Sequence, residues 1–131
     1  MNTTTLTALN YKVALLGNIE LLNYYSHHKI DYQDISSIGE YAIEILPNEH
    51  IYKTDAYNII LLIVGKNLKE DILLCQKCRS ITSKPIIVCG PPNTNYTIEM
   101  LKAGADIYEK APFTKDILRA IFYVNIKREY R

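Results

Sequence analysis

The sequence contains three cysteines, and two of them have a spacing that is used for chemistry. Cys75 and Cys78 form a C-x-x-C pair, the arrangement of redox-active dithiols and, where two such pairs occur, of zinc sites. A redox-active pair lies where a strand turns into a helix, whereas these two residues fall late in a segment of helical length, and the sequence has no second pair. We therefore predict that both thiols are buried and structural. Cys89 ends an apolar run and is the stronger candidate for a reactive thiol, although we expect core packing for it as well.

Histidine and tyrosine are the other side chains that can act on a ligand. His27, His28 and His50 have no metal-ligand spacing with one another or with the cysteines, so we expect them on the surface. The 11 tyrosines are expected mainly at the borders of strands and helices, where the ring is buried and the hydroxyl stays in water. These residues predict no metal centre.

Apolar runs at nearly constant intervals predict the elements that position these side chains. The runs VALL and IILLIV are continuous rather than alternating, which is typical of strands buried on both faces of a parallel sheet. Each interval between runs is long enough for a parallel crossover. The predicted strands are Tyr11–Gly17, Tyr32–Ile38, Tyr57–Val64, Lys84–Gly90 and Asp106–Lys110. The predicted helices are Ile19–His27, Glu40–Leu46, Leu68–Arg79, Thr97–Ala103 and a last one from Thr114 towards Arg128.

Five such units predict an α/β domain, a three-layer doubly wound (βα)5 parallel sheet with the strand order 2-1-3-4-5. In this architecture ligands bind at the carboxyl ends of the strands beside the switch point. The 131 residues suffice for one domain. We assign residues 1–10 to an N-terminal extension, 11–128 to the domain and 129–131 to a tail or the start of a linker.

The composition excludes several classes of protein. Hydrophobic residues make up 48% and charged residues 22%, which is typical of a soluble globular domain. The formal net charge of +1 gives no sign of polyanion binding. No apolar run approaches the roughly 18 residues of a membrane-spanning helix, and the polar start MNTTTLTALN lacks the layout of a secretion signal. With few cysteines as well, we expect a cytoplasmic protein without a membrane partner.

One segment, LKAGADIYEKAPF at Leu101–Phe113, resembles the signature that follows the fourth helix in the receiver domains of bacterial response regulators. In that family an alanine-glycine-alanine-aspartate turn leads to an aromatic residue and then to a lysine-proline-phenylalanine end. KPIIVCG resembles the fourth strand of the family, YNIILLI the third strand and EYAIEIL the second helix. The resemblance runs from Tyr11 to Arg128 and implies a flavodoxin-like, receiver-like fold.

The family's chemistry is absent from the matching positions. Receivers accept a phosphoryl group on an aspartate that ends the third strand, and their other site residues are a Mg²⁺-binding acidic pair, a hydroxyl residue and a lysine. Mg²⁺ prefers oxygen ligands such as carboxylates, and phosphoryl transfer needs a cation to stabilise its charge. The resemblance with these losses implies a degenerate receiver that is no enzyme, with no catalytic residue, metal or cofactor. The matching positions are Ile63 for the phospho-acceptor, Gly17 and Asn18 for the acidic pair, Gly90 for the hydroxyl residue and Ala111 for the lysine.

The resemblance also implies a partner surface, made by the predicted fourth helix, fifth strand and fifth helix. Tyr108 matches the family's switch aromatic, and we expect it to be fixed in one rotamer. On the fifth helix, spacing predicts that the side bearing Ile117, Ala120, Ile121 and Val124 packs on the sheet, so that Phe122 and Tyr123 project outward. Asp106 and Arg119 resemble the charged residues with which some regulators dimerise. The expected interface residues are therefore Asp106, Arg119, Phe122 and Tyr123.

The expected function is that of a phosphorylation-independent receiver domain, a protein-interaction or dimerisation module in signal transduction or transcription regulation. The domain itself is expected to make no direct nucleic-acid contact; any DNA-binding domain would belong to a longer parent protein. An alternative is a small-ligand or redox sensor that uses the emptied pocket of Gly17, Ile63, Cys89 and Gly90. A conventional phospho-acceptor is disfavoured by the five replacements.

Overall fold

A six-stranded sheet organises the protein. The computed structural model describes residues 11–26 and 37–130. The strands are β1 (Tyr11–Gly17), β2 (Ser37–Ile38), β3 (Tyr41–Ile45), β4 (Ile59–Ile63), β5 (Ile86–Gly90) and β6 (Ile107–Lys110). Their order is β2-β3-β1-β4-β5-β6, and every neighbouring pair is parallel except β2 with β3. The five parallel strands confirm the doubly wound order 2-1-3-4-5.

Helices cover both faces of the sheet, and asparagine side chains cap the starts of two of them. They are α1 (Leu21–Tyr25), a 3-10 helix (Asn48–Ala56), α2 (Leu68–Ile81), α3 (Thr94–Lys102) and α4 (Lys115–Tyr130). Asn67 and Asn93 accept backbone N–H bonds in the first turns of α2 and α3, at 3.1 and 3.0 Å, which satisfies donors that would otherwise have no partner. Within residues 11–26 and 37–130, none of these helices has both the length and the hydropathy needed to cross a bilayer.

The core lies in two clusters, one on each face of the sheet. α1 and α4 pack on one face, and α2 and α3 pack on the other. β4 and β5 are buried along their whole length because their continuous apolar sequences, IILLI and IIVCG, meet helices on both sides. The carboxyl ends of β1, β4 and β5 are thereby held in one rigid layer.

The second unit of the fold differs from the sequence prediction. The helix predicted at Glu40–Leu46 is wrong, because the residues at its centre form β3, which pairs in parallel with β1. Tyr41 and Ile43 point into the core and Glu44 points to solvent, an alternation that suits a half-buried strand. The ring of Tyr41 also packs edge-on against Phe122, with centroids 5.2 Å apart.

The other boundary changes surround this strand. Of the strand predicted at Tyr32–Ile38, only Ser37–Ile38 falls within the described residues, and it pairs antiparallel with β3. The remainder of that prediction, the extension 1–10, and His27 and His28 lie outside the described residues. The crossover from β3 to β4 is made by the 3-10 helix.

α4 presents a different side to the sheet from the one predicted. Ile121 is half-buried, but Ile117 and Val124 are 40% and 49% exposed and Ala120 is exposed as well. The buried stripe contains a polar residue, Asn125, whose amide donates to the carbonyl of Ile121 at 2.8 Å. That bond lets a polar side chain lie in the core. The buried stripe is Leu118, Phe122, Asn125 and Ile126.

Candidate functional site

The carboxyl edge of the sheet brings the five predicted vestigial positions together. Gly17 is in register with Ile63 across β1 and β4, and the N–H of Asn18 donates to the carbonyl of Ile63 at 2.8 Å. On the other side, the N–H of Ala111 donates to the carbonyl of Gly90 at 2.8 Å. The five positions therefore lie side by side at this edge, and backbone hydrogen bonds join Asn18 to Ile63 and Ala111 to Gly90.

Tight packing fills the centre of this edge. Ile63 has no exposed surface and belongs to the same cluster as Leu15 and Cys89. Gly17 has a φ of 97°, which L side chains rarely adopt, and a Cβ there would overlap the carbonyl oxygen of Ile63. A Cβ at Gly90 would lie 2.5 Å from the Tyr108 hydroxyl. The ligand pocket suggested as an alternative from the sequence is thus occupied by the protein's own atoms.

A magnesium ion, which the fold family implies, does not fit these residues. Ile63, Gly17, Gly90 and Ala111 supply no side-chain oxygen and Asn18 supplies only a neutral amide oxygen, whereas Mg²⁺ is bound in proteins through carboxylates. Glu20, the nearest carboxylate in sequence to the first strand's end, is exposed and pairs with Lys66 at 3.8 Å. Among the described residues, no cluster of three or more His, Cys, Asp or Glu is placed to hold a metal ion.

The main polar feature of this edge is a cluster that sequence reasoning missed, formed by three tyrosines and Asp71 and called here the tyrosine cluster. Asp71 is 3% exposed, and its Oδ2 accepts hydrogen bonds from the Tyr96 hydroxyl at 2.8 Å and from the Gly65 N–H at 3.0 Å. The Tyr25 hydroxyl donates to the carbonyl of Val64 at 2.7 Å. The third tyrosine is Tyr108, whose hydroxyl donates to the carbonyl of Pro91 at 2.7 Å.

Burial keeps the hydroxyls of the tyrosine cluster neutral. Desolvation, followed by the negative charge of Asp71, raises the pKa of Tyr25 to about 12. The pKa of Tyr96 is raised by burial and by its bond to Asp71, and burial likewise raises the pKa of Tyr108. Each hydroxyl is therefore a hydrogen-bond donor at neutral pH, and together they fix the loops that follow β4 and β5.

One sequence signal could have revealed this cluster. Asp71 precedes Cys75 by four residues and Cys78 by seven, so it lies on the apolar face of α2. A carboxylate on a core-facing stripe requires partners, because an unpaired buried charge is costly. The partners of Asp71 come from two other segments, the loop after β4 and α3, which spacing alone does not identify.

The three thiols are buried, as predicted for Cys75 and Cys78. All three are free and have no exposed surface. Desolvation raises the pKa of Cys75 to about 11 and that of Cys78 to about 12, and it raises the pKa of Cys89 as well. Because the thiolate is the reactive form, these values indicate inert thiols at neutral pH.

The four expected interface residues have different environments. The prediction for Phe122 is wrong, because its ring is fully buried by the rotation of α4 described above. Tyr123 is 54% exposed, and the Lys127 amine lies 5.8 Å from its ring centroid. Arg119 pairs with Glu40 at 3.3 Å. The fourth residue, Asp106, accepts from the Ile86 N–H at 2.8 Å and from the Arg79 guanidinium at 3.1 Å.

β6 forms one edge of the sheet, and the surface around it is partly apolar. We call the surface of α3, β6 and the adjoining side of α4 the edge face. Ile117 and Val124 lie on this side of α4, since Arg128, four residues after Val124, lines a small cavity with Asp106 just before β6. Leu101 on α3 is 44% exposed. A cleft of about 440 Å³ in the edge face is lined by Pro92, Thr94, Thr97, Tyr108, Lys110 and Ala111.

Comparison with solved structures shows that several receiver domains have the same fold. A two-component response regulator from Clostridium difficile is 20% identical and has a TM-score of 0.72, over 93% of this chain and 100% of that one. A response regulator from Thermotoga maritima is 17% identical with a TM-score of 0.65, over 91% and 99% of the two chains. The BeF3-activated DrrB receiver domain is 16% identical, also with a TM-score of 0.65 and 91% and 99% coverage. No family model matches the sequence, and no curated protein does.

Proposed function

From the receiver fold of this chain, we propose that it is a pseudo-receiver, a module that binds partner proteins in signal transduction without being phosphorylated. The observation that carries the proposal is Ile63, which occupies the end of β4 with no exposed surface. Gly17 and Gly90 flank it, where the family has an acidic residue and a hydroxyl residue. A phosphoryl group would have neither an acceptor nor a metal ion at this edge.

The tyrosine cluster supports a single, permanent conformation. Tyr108 matches the family's switch aromatic, and its hydroxyl is bonded to the carbonyl of Pro91. Its ring lies over Gly90, where there is no side chain to compete for the space. Asp71 holds the neighbouring loop by its bond to the Gly65 N–H. Since a ligand shifts an equilibrium only through its differential affinity for two states, a chain with one state is expected to bind its partner constitutively.

The edge face is the surface that we propose for the partner, which is either another protein or a second copy of the chain. Leu101, Ile117 and Val124 expose apolar side chains there, next to a strand edge that no other described strand covers. Neither Phe122 nor Tyr123 belongs to this face, because Phe122 is buried and Tyr123 lies on the side of α4 that bears Arg119, which pairs with Glu40 towards the other edge of the sheet. We place the module in the cytoplasm, as an independent domain or as the regulatory part of a longer transcription regulator.

Beryllofluoride, which mimics an aspartyl phosphate, tests phosphorylation independence. In the presence of Mg²⁺ and beryllofluoride, the amide NMR signals of Gly17, Ile63 and Gly90 are expected to keep their positions, because no acceptor carboxylate is present. Mg²⁺ with fluoride alone is the matched control. Saturable shifts at these amides would contradict the proposal, and repeating the titration with Asp71→Asn would then determine whether Asp71 is the acceptor.

A further inference from the structure

α2 carries an exposed stripe that the proposed function does not use. Glu70, Leu73 and Lys77 follow one another at intervals of three and four residues, so their side chains lie along one side of the helix. Leu73, at the centre of the stripe, is 55% exposed. The opposite side of α2, with Asp71, is buried in the core. The stripe therefore has an apolar centre with a negative residue near the start of the helix and a positive residue towards its end.

A cavity lies beside this stripe and deepens it. Its volume is about 260 Å³, and the 3-10 helix supplies its other wall. Ile51 and Leu74 are only partly covered by the core cluster on this face of the sheet. The cavity is lined by Asn48, Ile51, Glu70, Leu73, Leu74 and Lys77. An apolar side chain inserted here would cover exposed carbon on both elements.

The two charges of the stripe have no ion-pair partner in residues 11–26 and 37–130. Within α2 they cannot pair with each other, because seven residues separate them and pairing on a helix needs a spacing of three or four. The residues three and four positions after Glu70 are Leu73 and Leu74, which carry no charge. The same two leucines lie four and three positions before Lys77.

We propose that a second copy of this chain docks on this stripe about a two-fold axis, with the two α2 helices antiparallel. A two-fold contact requires a surface that complements itself. The stripe meets this requirement because reversing its direction places Glu70 opposite Lys77 of the second copy, and Lys77 opposite Glu70 of the second copy. Leu73 of each copy then enters the cavity of the other. Charge complementarity and an apolar centre thus identify one occupant, the α2 stripe of a second copy that runs in the opposite direction.

Charge reversal tests this arrangement in the full chain. Glu70→Lys and Lys77→Glu each place like charges opposite each other at two symmetric positions, and each is expected to raise the dimer dissociation constant by about tenfold. The double variant Glu70→Lys/Lys77→Glu restores opposite charges and is expected to return the constant to near the parent value. Sedimentation equilibrium over a range of concentrations measures all four proteins. Raising the salt from about 0.05 M to about 0.5 M is expected to weaken the parent dimer.

Lys115→Glu is the matched control, since it makes the same change of charge on α4, which covers the face of the sheet opposite α2, and is expected to leave the constant unchanged. Far-ultraviolet circular dichroism checks that every variant is folded. A parent that stays monomeric up to about 1 mM overturns the proposal, as does a double variant no tighter than the single ones. Amide NMR shifts that depend on protein concentration distinguish a dimer contact on α2 from one on the edge face. Shifts at Leu73 support the α2 contact, whereas shifts confined to Leu101 and Val124 overturn it and favour a second copy at the edge face.

Discussion

At the scale of single residues, close packing of apolar groups defines the site. Ile63 contributes a buried apolar side chain at the end of β4, and Gly17 provides the backbone conformation that brings β1 against it. An ionised residue would be poorly solvated at the position of Ile63. The apolar side chain and the glycine at this edge are therefore mutually consistent, because both allow close packing.

Restoring an aspartate at position 63 is expected to destabilise the protein. Ile63→Asp removes buried carbon and places a carboxylate in the core without a metal or a lysine, at an expected cost of about 3 kcal/mol or more in the free energy of unfolding. Ile63→Val, which keeps the site apolar, is expected to cost only about 1 kcal/mol. Urea denaturation at neutral pH measures both values.

Acidification provides a second reading of the same variant. Burial raises the pKa of the introduced carboxyl. Ile63→Asp is therefore expected to have a lower free energy of unfolding than the neutral Ile63→Asn at neutral pH. This difference is expected to disappear below about pH 4, because the carboxyl is then protonated in the folded and in the unfolded state. An Ile63→Asp protein as stable as Ile63→Val would contradict the buried position of this residue.

At the scale of elements, the sequence predicted the strands with continuous apolar runs and misjudged two segments. VALL and IILLIV fit only a buried strand, whereas EYAIEIL has apolar residues spaced for either a short helix or a half-buried strand. The segment forms a strand because it pairs with β1, which is distant in the sequence. In α4, both sides are apolar, and Asn125 made the buried side look like the polar one. The tyrosine cluster escaped prediction because its bonds join α1, α2, α3 and the loops after β4 and β5.

Asp106 is expected to stabilise the join between elements. Its carboxylate holds the start of β5 through the Ile86 N–H and the end of α2 through Arg79, which also donates to the carbonyl of Gly104. Asp106→Ala removes the acceptor of the Ile86 N–H and one of the bonds of Arg79, and it is expected to lower the free energy of unfolding by about 1–3 kcal/mol, with no change in self-association. Glu99→Ala, on the surface of α3, is the control and is expected to change stability by less than about 0.5 kcal/mol. Unchanged stability together with lost association would instead favour the interface role inferred from the sequence.

Alkaline pH is expected to weaken the packing of helices on the sheet. Burial raises the pKa of Tyr25 and Tyr41 to about 12 and that of Cys75 to about 11. Because the folded state favours the neutral forms, the stability they contribute is complete below the unfolded values, near pH 9 for the thiol and pH 10 for tyrosine. It is lost as the pH rises through the folded values.

Urea denaturation between about pH 8 and about pH 11 measures this dependence. Tyr25→Phe keeps the ring and removes one titrating group, so it is expected to reduce the slope above pH 10 by up to about 1.4 kcal/mol per pH unit. A free energy of unfolding that stays constant to about pH 11 would show that these hydroxyls and thiols reach water.

At the scale of the whole molecule, the doubly wound fold surrounds a site whose residues, under our proposal, do not carry out phosphoryl transfer. The sheet order, the two core clusters and the loops at the carboxyl edge are all present. Ile63, Gly17 and Ala111 occupy the positions at which charge would be needed. The surfaces that remain for function are the edge face and the stripe on α2, and neither depends on a phosphoryl group for its structure.

The most direct test of this account is the intact mass of the protein after incubation with acetyl phosphate and Mg²⁺. The account predicts no increase by one phosphoryl group, because Ile63 has no nucleophilic oxygen and the positions that match the family's site hold neither a carboxylate nor a lysine. A receiver domain with its acceptor aspartate, treated in parallel, is the positive control. A stable increase of one phosphoryl group that hydroxylamine removes would establish an aspartyl phosphate and contradict the central claim.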